Sequence, residues 1–476
     1  MVHMGNTRIE ITNNSFSVLR DIIEKAEKYV YLTSFLFYDE KIADLLVEKS
    51  KSGVSVELLT TPSDAARSDE LKEWATRLQK RLHSSGVGVI PCEWEVGQPQ
   101  RTVSTFAGGR RPTWFALHTK YLVTDKHAVV MSADLTQDFN EGGEWDSFII
   151  YDDLKRIQLL QEKHKLMKDF FSSVRNYVPE EYIDSALEPR KLLRGYPFRE
   201  ATSPIKDGFY ILPLDAYGRK VVEKLISDSE AFIYCMYETF YDDILTFHIL
   251  RKLITSPRID FRMLSPPLTI YQQNPLKARA NFVQLASHGA EIKNIKNLRA
   301  KMMITDKAVI TGSFDLSVMG IGRSRTEKRL KLWVESTEIM DINTDKNVIS
   351  QAKSAFLELY EKASKEYGKW FRKDAEKSLR SAGARRIADE AKEALGLLIF
   401  NEGRKSSERI KRISIIAVEI ARLLNRTKPF VKPEHVLNAE KILLLKERDE
   451  LGSETIRKML NLLEGQTFLK QLEDIL

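Results

Sequence analysis

The sequence predicts an α/β protein made of two similar halves, each a mostly parallel sheet flanked by helices, followed by an all-α domain. Three observations carry this. The segment Tyr31 to Asp39 matches Tyr234 to Asp242 in pattern and shares its Phe-Tyr-Asp ending, at an offset of 203 residues. Lys120, Asp125 and Ser132 recur as Lys301, Asp306 and Ser313 with the same internal spacing, at an offset of 181 residues. Short β-branched and aromatic runs alternate with amphipathic stretches up to about residue 370, and beyond it only helical patterning remains. A duplicated chain of 476 residues divides on these grounds into domains spanning 1–190, 191–370 and 371–476.

In the first half the pattern gives a helix near 15–28, a strand near 29–36, a helix near 40–52 and a strand near 54–60. The second half repeats it with a helix near 216–229, a strand near 231–237, a helix near 243–254 and a strand near 258–264. Strands alternating with helices argue for βαβ crossovers, parallel pairing and helices on both faces of the sheet. The two offsets differ by 22 residues, so the first half carries an insertion between about Pro62 and His118. Within it, Arg101 to Trp114, with Gly108-Gly109-Arg110-Arg111-Pro112, reads as a long loop, and its position makes Arg110 and Arg111 candidates to gate a substrate channel. In the tail, Ile410, Ile413, Ile416, Ala417, Ile420 and Leu424 line one face of a helix over 407–425. A second helix opens at Pro433, with Glu434 beside its positive end. These stripes read as the core of a compact helical bundle.

Composition excludes several classes. Hydrophobic residues make up 43% and charged residues 30%, with no Pro-, Gly- or Ser-rich tract, which rules out collagenous, mucin-like and wholly disordered chains. Cys92 and Cys235 are the only cysteines, so neither a disulfide framework nor a thiolate zinc site is available, and a reducing, cytoplasmic setting is expected. No signal-peptide pattern opens the chain, and the longest apolar runs are about half the length of a membrane span, so no integral membrane segment is expected. Lys and Arg number 74 against 67 Asp and Glu, and of the net +7 the segment after residue 370 carries +5. A basic balance of this size permits a polyanionic partner such as nucleic acid.

The stretch His118-Thr119-Lys120, followed by Asp125 and Ser132, carries the chemistry. Residues i and i+2 of a strand share a face, so the His118 imidazole and the Lys120 ammonium can meet one phosphate while Thr119 points away. A neutral imidazole can attack phosphorus, and an ammonium can stabilise the charge that develops on the phosphoryl oxygens. Asp125 follows at a turn, where a carboxylate could orient the imidazole and fix its tautomer. Ser132 on the returning strand offers a hydroxyl to a further phosphate oxygen.

This pattern resembles the phospholipase D superfamily, whose signature is His-x-Lys-(x)4-Asp followed by Gly-Ser-x-Asn, and the resemblance covers both halves over about residues 7–370. It implies a pseudo-twofold arrangement in which each half supplies one motif to a shared site. It also implies a covalent phosphohistidine on one histidine, a general acid on the other, and no metal or other cofactor. By this resemblance His118, Lys120, Asp125, Lys301 and Asp306 are catalytic, and Ser132, Arg299 and Ser313 bind phosphate.

The second motif departs from the signature, because Arg299 stands where the histidine belongs. A guanidinium is not deprotonated near neutral pH, so Arg299 can bind phosphate and cannot take over the missing histidine's proton transfers. Both halves have five rather than six residues between the motif Asp and the Gly position, which is Met131 in the first half and Gly312 in the second. Both also replace the signature Asn by a carboxylate, Asp134 and Asp315, and changes shared by the halves mark a subfamily. Glu144 and Glu327 follow the two motifs at similar distances, each before an expected strand (148–151 and 330–334), and are auxiliary candidates for a replacement acid or base. Lys293, Lys296, Arg299, Lys301, Arg323, Arg325, Lys328, Arg329 and Lys331 could form a phosphate-binding wall.

The first functional reading is a metal-independent phosphodiesterase of the nuclease-like branch, acting on nucleic acid, DNA before RNA. Two chains could also pair as a homodimer and bring two copies of His118 together. The tail resembles the small helical lid of AAA-type ATPases through Arg409-Ile410 and Val431-Lys-Pro-Glu-His-Val436. No Gly-x-x-x-x-Gly-Lys-Ser/Thr loop occurs, so an ATPase or helicase is expected as a partner and not as an activity of this chain. The lost histidine sustains a second reading, a catalytically degenerate module that binds nucleic acid or a partner ATPase. A third, phospholipid hydrolysis, rests on Trp114 and Phe115 before the motif, and is opposed by the lack of an amphipathic interfacial segment near the N-terminus.

Overall fold

The computed structural model of the chain describes residues 7–35, 37–63, 69–95, 113–136, 143–173, 206–212, 214, 218–238, 240, 243–256, 258–266, 282, 285–286, 289–316 and 335–363. The helical tail, the loop with Arg110 and Arg111, Glu327, the expected strand at 330–334 and the expected domain boundaries lie outside the described residues.

The first half runs β1 (Thr7–Thr12), α1 (Ser15–Lys25), β2 (Tyr29–Ser34), α2 (Glu40–Lys51), β3 (Ser55–Thr60), α3 (Asp69–Ser84), β4 (Gly88–Pro91), β5 (Glu93–Glu95), β6 (Thr113–Leu117), β7 (Tyr121–Thr124), β8 (Ala128–Met131), β9 (Asp146–Tyr151) and α4 (Leu154–Ser173). The second runs β10 (Gly208–Leu212), α5 (Gly218–Asp228), β11 (Phe232–Met236), α6 (Asp243–Thr255), β12 (Asp260–Ser265), β13 (Glu291–Asn294), β14 (Met302–Thr305), β15 (Val309–Gly312), β16 (Glu335–Asn343) and α7 (Lys346–Lys362). The helices and strands expected from patterning fall within about three residues of these bounds. On α1 the apolar face Val18, Leu19, Ile22 and Ile23 is buried at helical spacing.

The repeated Phe-Tyr-Asp has a local cause. Asp39 is the N-cap of α2, its side chain accepting from the backbone N–H of Ile42 at 2.7 Å. Phe37 bridges to Leu135, and Phe240 bridges in the same way to Leu316. In the first half the Phe-Tyr-Asp therefore encodes the turn that starts α2.

One sheet has the order β1-β9-β8-β7-β2-β3-β4, and the other β13-β12-β11-β14-β15-β16-β6-β5, with β10 also on β16. Parallel pairing holds where strands alternate with helices, in β2-β3-β4 and β11-β12-β13. The motif strands form antiparallel hairpins, β7-β8 and β14-β15, so the sheets are mixed and not mostly parallel as a whole. The physical reason is the tight turn at Thr-Asp-Lys, which leaves no room for a crossover. At the end of the second hairpin, a Cβ on Gly312 would collide with the Ile339 carbonyl oxygen, so this position in β15 takes only glycine.

A central core is built from both sheets together with α4 and α7, including Tyr121, Ile149, Phe170, Tyr234, Ile304 and Phe356. Separate cores lie under α1 and α2 in the first half and under α5 and α6 in the second. Among the described residues no helix is long and apolar enough to cross a membrane.

The halves are also tied by a buried polar cluster. The Tyr151 hydroxyl of β9 donates to Asp341 of β16 at 2.6 Å and accepts from Asn343 at 3.1 Å. Arg156 of α4 reaches Asp341 at 3.4 Å and lies over the Tyr151 ring. Burial pushes the Asp341 carboxyl up to about 6, against the opposing pull of Arg156 and the Tyr151 hydroxyl. The folded state thus holds this proton more tightly than the unfolded chain does. Its contribution to stability is full below about pH 4 and is lost as pH rises through about 6. Asp341→Asn keeps an acceptor for Tyr151 and removes the titration. Urea denaturation should then show the variant gaining on the wild type by on the order of 3 kcal/mol between about pH 4 and 7; parallel pH profiles would refute the assignment.

Candidate active site

The site is assembled by strand pairing between the halves. The insertion in the first half supplies β6, which crosses to the second sheet and runs parallel to β16 with Leu117 opposite Thr337. The N–H of His118, one residue on, donates to the Thr337 carbonyl at 3.0 Å. Glu338 then meets the imidazole, its two carboxylate oxygens 2.7 and 2.8 Å from Nδ1. The second motif is placed by the same device in the other direction. Leu298 bridges to Trp145 in parallel register, and the Arg299 N–H donates to the Trp145 carbonyl at 2.8 Å. Trp145-Asp146 is thus the counterpart of Thr337-Glu338, with Asp146 facing the position of Arg299 as Glu338 faces His118.

Two expected roles change with this geometry. The hydroxyls of Ser132 and Ser313 are turned to these carboxylates, Ser132 donating to Asp146 at 2.9 Å and Ser313 to Glu338. Each serine oxygen also accepts a backbone N–H, from Ser147 and Ile339, both at 3.0 Å. The serines hold the carboxylates in place; the expected contact with phosphate is not the one their hydroxyls make. Asp125 does not orient His118. It accepts the N–H groups of Glu27 and Lys28 at 3.0 and 3.1 Å, and Asp306 likewise takes those of Glu230 and Ala231 at 3.0 and 3.2 Å. The four residues of β7 separate Asp125 from the motif's first residues, a span of roughly 13 Å. These backbone bonds overcome the cost of burial and keep both carboxyls below the usual range.

Between the two halves the charged side chains form one network. Lys120 is fully buried and its Nζ lies 2.9 Å from His118 Nε2 and 3.3 Å from Asp134 Oδ1. With Nδ1–H given to Glu338, the lone pair of His118 sits on Nε2, where Lys120 donates to it. Asp134 also pairs with the Arg299 guanidinium, whose Nη1 reaches both oxygens of Glu144 at 3.0 and 3.2 Å. Lys301 donates to Asp315 at 2.9 Å and lies 3.4 Å from Glu238. The motif residues His118, Lys120, Arg299 and Lys301 and the expected auxiliary Glu144 are therefore brought together, and Asp134 and Asp315 neutralise motif lysines in both halves.

The titration behaviour follows from burial and these pairs. Burial lowers the Lys120 ammonium, the pull of Asp134 and Glu338 being the smaller effect. Lys301 is also penalised by burial, but Asp315 and Glu238 hold its pKa above the ordinary value. Burial opposes ionisation of Asp134, yet Lys120 and Arg299 keep its carboxyl well below the usual range. Burial prevails for Glu144 and for Asp146, which is pushed up to about 7.

The two poles of the site differ. Beside His118 the Phe35 ring stands edge-on, with centroids 5.0 Å apart. The residue at the matching place of the repeat is Glu238, whose side chain is 41% exposed beside Lys301. Arg299, at 22%, and Glu144, at 17%, share that open side. Of the expected basic wall, Lys293 is turned inward to the Tyr360 carbonyl at 2.9 Å, Lys296 is exposed, and Arg323, Arg325, Lys328, Arg329 and Lys331 lie outside the described residues. Among the described residues no group of three or more His, Cys, Asp or Glu side chains could hold a metal ion.

Residues 19–167 match the family model described as Cardiolipin synthase, PLD-like domain. That segment of the chain is similar to a phospholipase D-like domain. The fold of the chain is similar to solved structures at low identity. Against phosphatidylserine synthase from Haemophilus influenzae Rd KW20 the TM-score is 0.49 at 12% identity, over 76% of this chain and 88% of that one. Against a phospholipase D family member, Nuc from Salmonella typhimurium, it is 0.25 at 14% identity, over 33% and 96%. Against polyphosphate kinase from Porphyromonas gingivalis it is 0.44 at 10% identity, over 74% of this chain, which spans 50% of the kinase. No curated protein sequence matches the chain.

Glu338 and Glu238 were not legible from the motifs, and Glu338 makes the closest contact to His118 among the described carboxylates. Glu338→Gln retains an acceptor for Ser313 and removes the charge that would balance an imidazolium. Under the phosphodiesterase reading proposed below, turnover should fall on the order of 10²- to 10⁴-fold with the thermal unfolding midpoint nearly unchanged. Unaltered turnover would remove Glu338 from the site.

Proposed function

We propose that this phospholipase D-like chain is a metal-independent phosphodiesterase acting on nucleic acid, with His118 as nucleophile. The observation that carries the reading is the pair of contacts to His118, Glu338 at 2.7 Å from Nδ1 and Lys120 Nζ at 2.9 Å from Nε2, an arrangement that suits a ring with its proton on Nδ1 and its lone pair on Nε2. In this reading Nε2 attacks phosphorus once a phosphate oxygen draws the Lys120 ammonium to itself, and Glu338 balances the positive charge that grows on the ring. Lys120, Lys301 and Arg299 take the phosphoryl oxygens, competing for them with Asp134 and Asp315. Asp125 and Asp306 act indirectly by fixing the turns of the two motif hairpins. The net charge of +7 supports a polyanionic substrate.

The presence of Arg299 favours one competing reading, a binding module that has lost catalysis. Cleavage of labelled single- and double-stranded DNA and RNA in excess EDTA separates the two. The enzyme reading expects cleavage that survives chelation and falls at least 10³-fold in His118→Ala. Retained nucleic-acid binding without cleavage, unchanged by the same variant, would establish the binding module instead. Cleavage of phospholipid vesicles and not of nucleic acid would overturn the substrate assignment.

A further inference from the structure

The phosphodiesterase reading leaves one proton unaccounted for. Attack by His118 expels an alkoxide, which needs a proton, and the residue at the mirror position is a guanidinium that holds its own. The pairing register shows where compensation lies. Thr337 is opposite Leu117 and Trp145 is opposite Leu298, so the residue before each is also matched: Ser336 for the intact first motif and Glu144 for the altered second one. Where the motif keeps its histidine the neighbouring segment has serine at this position, and where the histidine is arginine it has a glutamate that grips that arginine through both oxygens. Asp134 and Asp315 cannot be the compensating pair, because they occur alike in both halves and each sits on its own motif lysine.

Resting on that reading, we infer that Glu144 is a catalytic residue, the proton donor and then acceptor on the leaving-group side of phosphorus. In the first step the bond from His118 Nε2 to phosphorus forms, the bond to the leaving oxygen breaks, and the Glu144 carboxyl gives its proton to that oxygen. In the second step the Glu144 carboxylate takes a proton from water, the water oxygen bonds to phosphorus, and the P–N electron pair returns to Nε2. Glu144 ends protonated as it began. Its place fits this work: it is part-exposed on the open side of the site, beyond Arg299 from Lys120 and His118. The charged groups around it are Arg299, in contact, with Asp134, Glu238 and Asp146 near. Burial and the neighbouring carboxylates outweigh the arginine, so Glu144 keeps its proton to higher pH than an ordinary glutamate.

The test is a comparison of leaving groups in the full chain. A dinucleotide has a poor alkoxide leaving group, whereas a nucleoside p-nitrophenyl phosphodiester expels a phenolate that needs no proton. Glu144→Gln should lose at least 10²-fold on the dinucleotide. On the nitrophenyl ester it should show a nitrophenolate burst much closer to wild type, followed by slow turnover as the phosphohistidine waits for an activated water. Glu144→Asp, which keeps an acid, should fall between the two on the dinucleotide. Equal losses of Glu144→Gln on both substrates would make Glu144 a positioning residue for Arg299 and overturn the inference, as would no loss on either. A wild-type chain that cleaves neither substrate would bring down the phosphodiesterase reading itself; wild-type cleavage with an indifferent Glu144→Gln would bring down only the role of Glu144.

Discussion

The contact between His118 Nδ1 and Glu338 organises the site, because it joins side chains 220 residues apart and belongs to neither half alone. It exists only if β6 has crossed to the second sheet and paired with β16, and if Ser313 holds the carboxylate from behind. A buried carboxylate that lost its imidazole would be costly, and an imidazole without that carboxylate would have no fixed tautomer. The fold of both halves, down to the collision that keeps Gly312 a glycine, converges on this one approach of strands.

The mirror contact has been dismantled. Asp146 keeps its place and its serine partners, Ser132 and Ser15, but the residue it faces is Arg299, which has turned its guanidinium to Asp134 and Glu144. Burial outweighs the opposing pull of Arg299 and pushes the Asp146 carboxyl up to about 7, whereas Asp134, caught between Lys120 and Arg299, is held well below the usual range. Duplication thus supplies two equivalent frames, and substitutions in one of them make the poles unequal: Phe35 beside the histidine, Glu238 and Glu144 beside the cations.

Much of this was legible in the sequence because it is local or repeated. The halves followed from the recurring motif, and Asp39 explains the Phe-Tyr-Asp of the first half as a helix cap. What was not legible depends on contacts between distant segments. The carboxylates that pair with the motif serines lie 14 residues on in one half and 25 in the other, and one is Asp and the other Glu, so they do not register as a repeat. Asp125 was drawn to His118 by closeness in sequence, but an extended strand carries it away to cap a turn. Arg101 to Trp114 read as a loop on its Gly108-Gly109-Arg110-Arg111-Pro112, but its last two residues open β6, a strand whose pairing partner lies in the other half.

The most direct test of this account is the protonation state of the His118 ring. With ¹⁵N-labelled histidine, and with the signal among the 8 histidines assigned by its loss in His118→Gln, two-bond ¹H–¹⁵N spectra report which nitrogen carries the proton. The account predicts a protonated Nδ1 with a strongly downfield proton and an unprotonated Nε2, lost on substitution of Glu338. A ring protonated at Nε2, or one indifferent to Glu338, would contradict it.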